Sequence, residues 1–365
     1  MRLFLMIGWL HLCGAAIPVG AEDRPPCQIR VILFTPADVT PPTGYQSRVD
    51  DVAHYAEAFF TRELKRWGHE KIVMPFRRAA DGHVEVTQLR GQKKTAEYKP
   101  VDIRVEVMDH QRLENQLGGG RQVWWILVYS GTPPKADVFL GGFGQEIGGW
   151  AVCDLDTAPG RIDPEAELGS DALVDLKLKG MLHELGHGLR LPHIGPLRAD
   201  NAGNTLMGPT HANFRRVVPQ REDRVYLSEA EAAMLSLNPV FRGVPDISQR
   251  LPKVGVQNLK SVVNKRNGSF VVTGKLVSKE RAVYAFVADE SAARPGEYWT
   301  KTYVGPVTAT GDFEVIVTEP AESSGQLTTW FGFENGEQTG DGQQRSRESG
   351  LSLPYIYRQK RWEFP

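Results

Sequence analysis

The sequence predicts an α+β domain followed by an all-β domain. Two patterns carry this. Up to about residue 243, short apolar runs alternate with stretches of helical periodicity. Beyond the composition shift at Gly243–Pro252, six Val/Thr/aromatic-rich runs follow, separated by Gly, Asn, Asp or Pro. Their spacing is that of an immunoglobulin-like β-sandwich.

The bulk composition sets limits. Hydrophobic residues make up 41% and charged residues 24% of the 365, which excludes a mainly disordered or collagen-like chain. Lys+Arg number 43 against 44 Asp+Glu, so the electrostatic case for nucleic-acid binding is absent. No apolar run outside the N-terminus approaches the roughly 20 residues of a spanning helix. At the N-terminus, Arg2 precedes the apolar run Leu3–Leu12. Val19 and Ala21 supply the small residues of a cleavage site. Residues 1–21 are therefore expected to be a signal peptide, and the mature protein secreted or periplasmic/extracellular. Cys27 and Cys153 then remain, and an oxidising compartment permits a disulfide between them.

The elements follow in order. Gln28–Thr35 reads as a buried strand and Pro36–Gly44 as a loop. Val49–Trp67 reads as a helix, with Val52, Tyr55, Ala56, Phe59, Phe60 and Leu64 at helical spacing. Ile72–Met74, Val84–Leu89 and Val101–Met108 read as strands. Asp109–Leu117 reads as a short helix ended by Gly118–Gly120. Gln122–Ser130 is a strong strand signal, with Trp124 and Trp125 pointing to opposite faces. Asp137–Leu140 and Gly148–Asp154 bracket a glycine-rich loop. A helix capped by Ser170 runs from about Asp171 to Leu189, apolar on more than one side, with Lys177 and Lys179 as a solvated patch. After an irregular stretch over Pro192–Val225, Ser228-Glu229-Ala230-Glu231 is a capping box. The expected division is 1–21 signal, 22–245 α+β domain, 246–340 β-sandwich and 341–365 flexible tail.

The chemistry lies in His183-Glu184-Leu185-Gly186-His187, followed by His193. Histidines four apart on a helix stack one turn above the other, so both imidazoles reach one metal ion. Glu184 lies on the same turn, where it can deprotonate a metal-bound water. Zinc suits such nitrogen donors. On a continued helix His193 would point roughly 120° away from His187. It can ligate only if the chain turns after about Leu189, and Pro192 favours such a stop. A carboxylate from a later helix is the alternative third ligand.

His183-Glu184-x-x-His187-x-x-Arg190-x-x-His193 resembles the elongated zinc motif of the metzincin metallopeptidases, and Asn204–Gly208 resembles their Met-turn, with Met207 beneath the metal. The resemblance spans about Gln28 to Pro245. It implies a zincin/metzincin-like catalytic domain with a mixed sheet, one catalytic Zn2+ and endopeptidase action through a zinc-bound water activated by Glu184. It also implies an extended polypeptide substrate on an edge strand, for which Gly149, Trp150 and Ala151 are the candidates. Some relatives place an oxyanion-stabilising tyrosine just after the Met-turn. Here Gly208-Pro209-Thr210-His211 follows instead: either His211 serves or no such residue exists, and a surface-loop histidine is the plainer reading. The family usually has Gly where this chain has Arg190. A left-handed Arg costs about 1 kcal/mol, unless the turn falls at Leu191-Pro192. Asp200, Asn201 and Asn204 are oxygen donors for Ca2+, although a plain polar loop explains them as well. The β-sandwich is a candidate surface- or glycan-binding module. The rival readings are a non-catalytic extracellular binding protein with a structural zinc site, against which Glu184 argues, and a zinc amidase acting on a non-protein amide.

Overall fold

The computed structural model describes residues 27–72, 74–113, 122–131, 141–145, 148–155, 160–170, 173, 177–208, 224–243, 251–293, 298–344 and 347–365. The expected signal segment 1–21, the glycine stop at 118–120, the strand at 137–140, the division at 245/246 and His211 lie outside these residues.

The fold is α+β. Five strands form the first sheet: β1 (Ile29–Thr35), β2 (Val86–Arg90), β3 (Gln122–Val128), β4 (Gly141–Gln145) and β5 (Gly148–Asp154). Their order is β2-β1-β3-β5-β4, parallel except for β4. Parallel strands are buried on both faces, so they need apolar residues at every position. β3 comes close to this: all seven residues are buried and all but Gln122 are apolar. Trp125 packs on one face with helix α1 (Tyr45–Arg66) and helix α3 (Leu178–Gly188), and Trp124 packs on the other with α2 (Pro100–Leu113).

Helix α2 occupies the segment expected as a strand at 101–108. The alternation Val101, Ile103, Val105, Val107 imitates a half-buried strand. Only Ile103 and Val107, one helical turn apart, are buried. Val101 and Val105 are 48% and 45% exposed. Pro100 at the first helical position and the Asp102 carboxylate, which accepts from the Lys99 N–H at 3.1 Å, start the helix. Of the strand expected at Ile72–Met74, the described residues Ile72 and Met74 lie in no strand, although Met74 is buried.

Strand β5 is interior, flanked by β3 and β4, so Gly149, Trp150 and Ala151 do not form an edge. The edge is β4. Its glycine-rich sequence lacks the apolar pattern that marks β5. Glycine at 149 serves packing instead: an added Cβ would collide with the Gly188 carbonyl on α3. Cys27 and Cys153 are both buried, and no disulfide joins them. The register Ile29↔Val123↔Gly149 sets them six residues apart along parallel strands, about 20 Å. A disulfide needs Cα atoms within about 7 Å, which excludes the pairing.

Short strands β6 (Asn204–Thr205) and β7 (Val225–Tyr226) pair beneath α3 and lead to α4 (Glu229–Leu237) and α5 (Pro239–Arg242). The remaining chain forms two antiparallel sheets. One holds β8 (Gly255–Val263), β9 (Phe270–Val277) and β12 (Asp312–Val317). The other holds β10 (Ala282–Ser291), β11 (Lys301–Pro306), β13 (Gly325–Phe333), β14 (Gln338–Thr339), β15 (Leu351–Arg358) and β16 (Arg361–Glu363). They share a core that includes Phe270, Phe313, Ala285, Val287 and Phe331. The segment expected as a flexible tail is structured: β15 pairs with β13, and Trp362 and Phe364 pack edge-on against Phe270.

The larger sheet is covered on both faces. Alternate residues Phe286 and Ala288, with Trp330, join the core of the N-terminal region. The two regions therefore share one hydrophobic cluster. Replacing Gly149 with Ala forces β5 away from α3 and lowers unfolding free energy by about 1–3 kcal/mol. A urea midpoint equal to the parent's would refute that close packing.

Candidate metal centre

Helix α3 buries Leu178, Met181, Leu182 and Leu185 against the sheet. That orientation leaves His183, Glu184 and His187 half-buried on the other side of the helix. The helix opens after Lys177, which adopts φ 54° and pairs with Asp154 at 3.3 Å. The start expected at Ser170 falls largely outside the described residues.

The C-terminus of α3 decides the site. The Arg190 N–H donates to the His187 carbonyl and the Leu191 N–H to the Gly186 carbonyl, both at 2.9 Å. This is a Schellman turn, with Arg190 at φ 72° in the position glycine usually takes. The reversal falls at Arg190 itself and not at Leu191-Pro192. It brings His193 back to the helix, with its Nε2 3.0 Å from the Nε2 of His187. The ligand-capable atoms of His183, His187 and His193 all lie within 4.8 Å of one another. They are the only such group of His, Cys, Asp or Glu among the described residues. At the candidate calcium residues, the Asp200 carboxylate accepts the Tyr226 hydroxyl at 2.7 Å.

Backbone carbonyls fix the tautomers. His183 Nδ1–H donates to the Leu206 carbonyl at 2.8 Å, and His187 Nδ1–H to the Leu191 carbonyl at 2.9 Å. A carbonyl only accepts, so each proton sits on Nδ1 and each Nε2 keeps its lone pair. Burial, then repulsion from the neighbouring imidazoles, holds His183 at about 3. Burial, His187 and Arg347 hold His193 at about 4, and burial lowers His187. All three stay neutral at physiological pH, as metal ligation requires. Burial raises the Glu184 carboxyl to about 7.

Met207 is fully buried, its sulfur against Gly186 on α3. Its N–H donates to the Glu231 carboxylate at 3.1 Å. The same carboxylate accepts the Ser228 N–H at 2.6 Å and completes the capping box of α4. One buried acid thus holds both the turn beneath the triad and a helix start. Its second function has no sequence signal beyond the capping box. Burial raises it to about 8. Lys179 is desolvated too and lowered to about 8, so it is not the solvated patch expected of it. Glu231→Ala strands two buried N–H groups and lowers unfolding free energy by about 2–4 kcal/mol, which urea denaturation measures.

The C-terminal sheets reach the centre as well. Arg190 Nη1 donates to the Gly336 carbonyl at 3.4 Å and lies 3.7 Å from the fully buried Glu337 carboxylate. A double-mutant cycle of Arg190→Met and Glu337→Gln, read by urea denaturation, gives a coupling of at least about 1 kcal/mol. Additive effects would deny the pair any role.

Three convergent imidazoles beside a desolvated carboxylate, on an α+β scaffold, define a candidate metal centre. No family model matches the chain, and no curated protein matches it in sequence. Among solved structures it is similar to OgpA from Akkermansia muciniphila. Catalytically inactive OgpA in complex with an O-glycopeptide (glycodrosocin) substrate shares 17% identity over 97% of this chain and 98% of that one, at a TM-score of 0.72. Wild-type OgpA gives 17% identity and TM-scores of 0.71 and 0.72 in two crystal forms, covering 96% and 99% of this chain and 98% and 100% of those. The likeness is one of fold, and it runs through both regions.

Proposed function

We propose that the chain is a zinc-dependent peptidase that hydrolyses glycosylated polypeptides. The observation that carries the reading is the convergence of His183, His187 and His193 beside Glu184. Neutral imidazoles suit zinc, whose tetrahedral nitrogens lie about 3.3 Å apart. The 3.0 Å between the Nε2 atoms of His187 and His193 is close to that spacing. Three protein donors leave a fourth position for water or substrate. Bound zinc would supply an acidified water and a polarised scissile carbonyl.

Glu184 then takes the proton of the attacking water and delivers it to the leaving amine. Its raised pKa suits a group that must both accept and return a proton, and a cation beside it would draw that pKa down. The antiparallel edge strand β4 runs against α3, with Gly142 facing the Glu184 carbonyl and the His187 Cβ. An extended substrate would add to that edge by main-chain pairing. The full-length likeness to OgpA supports an O-glycopeptide as the first substrate class. The apolar segment before Ala21 supports export.

The test uses an O-glycosylated peptide and its sugar-free counterpart. The parent protein cleaves the glycosylated form, loses activity on chelation and regains it with zinc. Glu184→Gln slows cleavage at least about 100-fold while still binding zinc. Cleavage that survives chelation, or an active Glu184→Gln, would overturn the reading.

A further inference from the structure

The three imidazoles are not held alike. His183 and His187 each have Nδ1 anchored on a backbone carbonyl. Among the described residues, no such bond reaches Nδ1 of His193. What meets its ring is Tyr298, from the segment leading into β11. The two rings stand edge to face at 81°, with centroids 4.6 Å apart. The Tyr298 hydroxyl donates to the Gly208 carbonyl at 3.0 Å, one residue beyond Met207. One side chain therefore spans the third imidazole and the turn beneath the triad.

The segment around Tyr298 is itself fixed. The Gly195 N–H donates to the Thr300 carbonyl at 2.9 Å, and the Thr300 N–H reaches the His193 carbonyl at 3.4 Å. Trp299 packs flat where a Cβ on Gly195 would otherwise sit. Arg347 Nη1 donates to Thr300 Oγ1 at 2.7 Å. The main chain just after His193, on both sides of Ile194, is thus stitched to the segment that enters the C-terminal sheets, and Tyr298 is the part of that seam that touches the imidazole.

We propose that Tyr298 is a positioning residue for His193: its ring, edge to face with the imidazole, holds it so that Nε2 faces the other two. The C-terminal region would then complete the metal centre and not act only as an appended module. The inference rests on the metal reading above. Partners that orient a ligand typically set metal affinity by 10- to 100-fold.

The experiment is chelator competition for zinc on the full chain, with Tyr298→Ala and Tyr298→Phe beside the parent. Tyr298 is 42% exposed, so the metal-free variants should unfold at the parent's temperature. Tyr298→Ala weakens zinc at least about tenfold. Tyr298→Phe keeps the ring and recovers most of that loss. Saturating zinc restores glycopeptide cleavage by Tyr298→Ala, because the defect lies in holding the ion. Parent-like zinc affinity in Tyr298→Ala overturns the proposal. So does a Phe variant as weak as the Ala one. Cleavage that stays low at saturating zinc with unchanged affinity assigns Tyr298 to the substrate and overturns it as well. A parent that binds no zinc removes the metal reading itself, and this inference with it.

Discussion

The centre depends on one backbone reversal. Helix α3 can present two imidazoles on a single face, and no α-helix can present a third six residues later in the same direction. The Schellman turn at Arg190 solves that problem by folding the chain back along its own axis. Its two hydrogen bonds satisfy carbonyls that the helix end would otherwise leave open. The His187 Nδ1–H then donates to the carbonyl of Leu191, inside that turn. The turn that delivers the third donor thus also orients the second.

Arginine at the turn departs from the glycine that the resemblance led one to expect. A left-handed arginine is strained by about 1 kcal/mol. Its side chain reaches the β13–β14 hairpin and the buried Glu337. Glycine would relax the backbone and forfeit that reach. The strain is local, whereas the contact joins parts of the chain far apart in sequence. On this reading the substitution moves the support for the helix terminus from the helix to the C-terminal sheets.

What the sequence made legible was short-range. The His-Glu-x-x-His spacing, the capping box at Ser228 and the six regular strands each arise from patterns within a dozen residues. The misreadings have physical causes. Valines that alternate along α2 satisfy a period of two, although only one helical pair is buried. Sheet order is not a local property, so interior β5 looked like the edge that is in fact β4. Strand β15 lies in the segment expected as a flexible tail, and its Pro354 is a residue that central strands disfavour. It sits in the structure where only β13 pairs with β15. Tyr298 and Glu337 lie more than 100 residues from the triad, and nothing in their surroundings marks them.

The shared core has a consequence in time. Chains are synthesised from the N-terminus at roughly 5–20 residues per second. Glu337 follows His193 by 144 residues, so it emerges on the order of ten seconds later. Until then the Arg190 turn lacks its far anchor, and the N-terminal core lacks Phe286, Ala288 and Trp330. The histidines exist early, but the surroundings that hold them assemble last. Order of synthesis alone delays these surroundings until the C-terminal sheets have emerged.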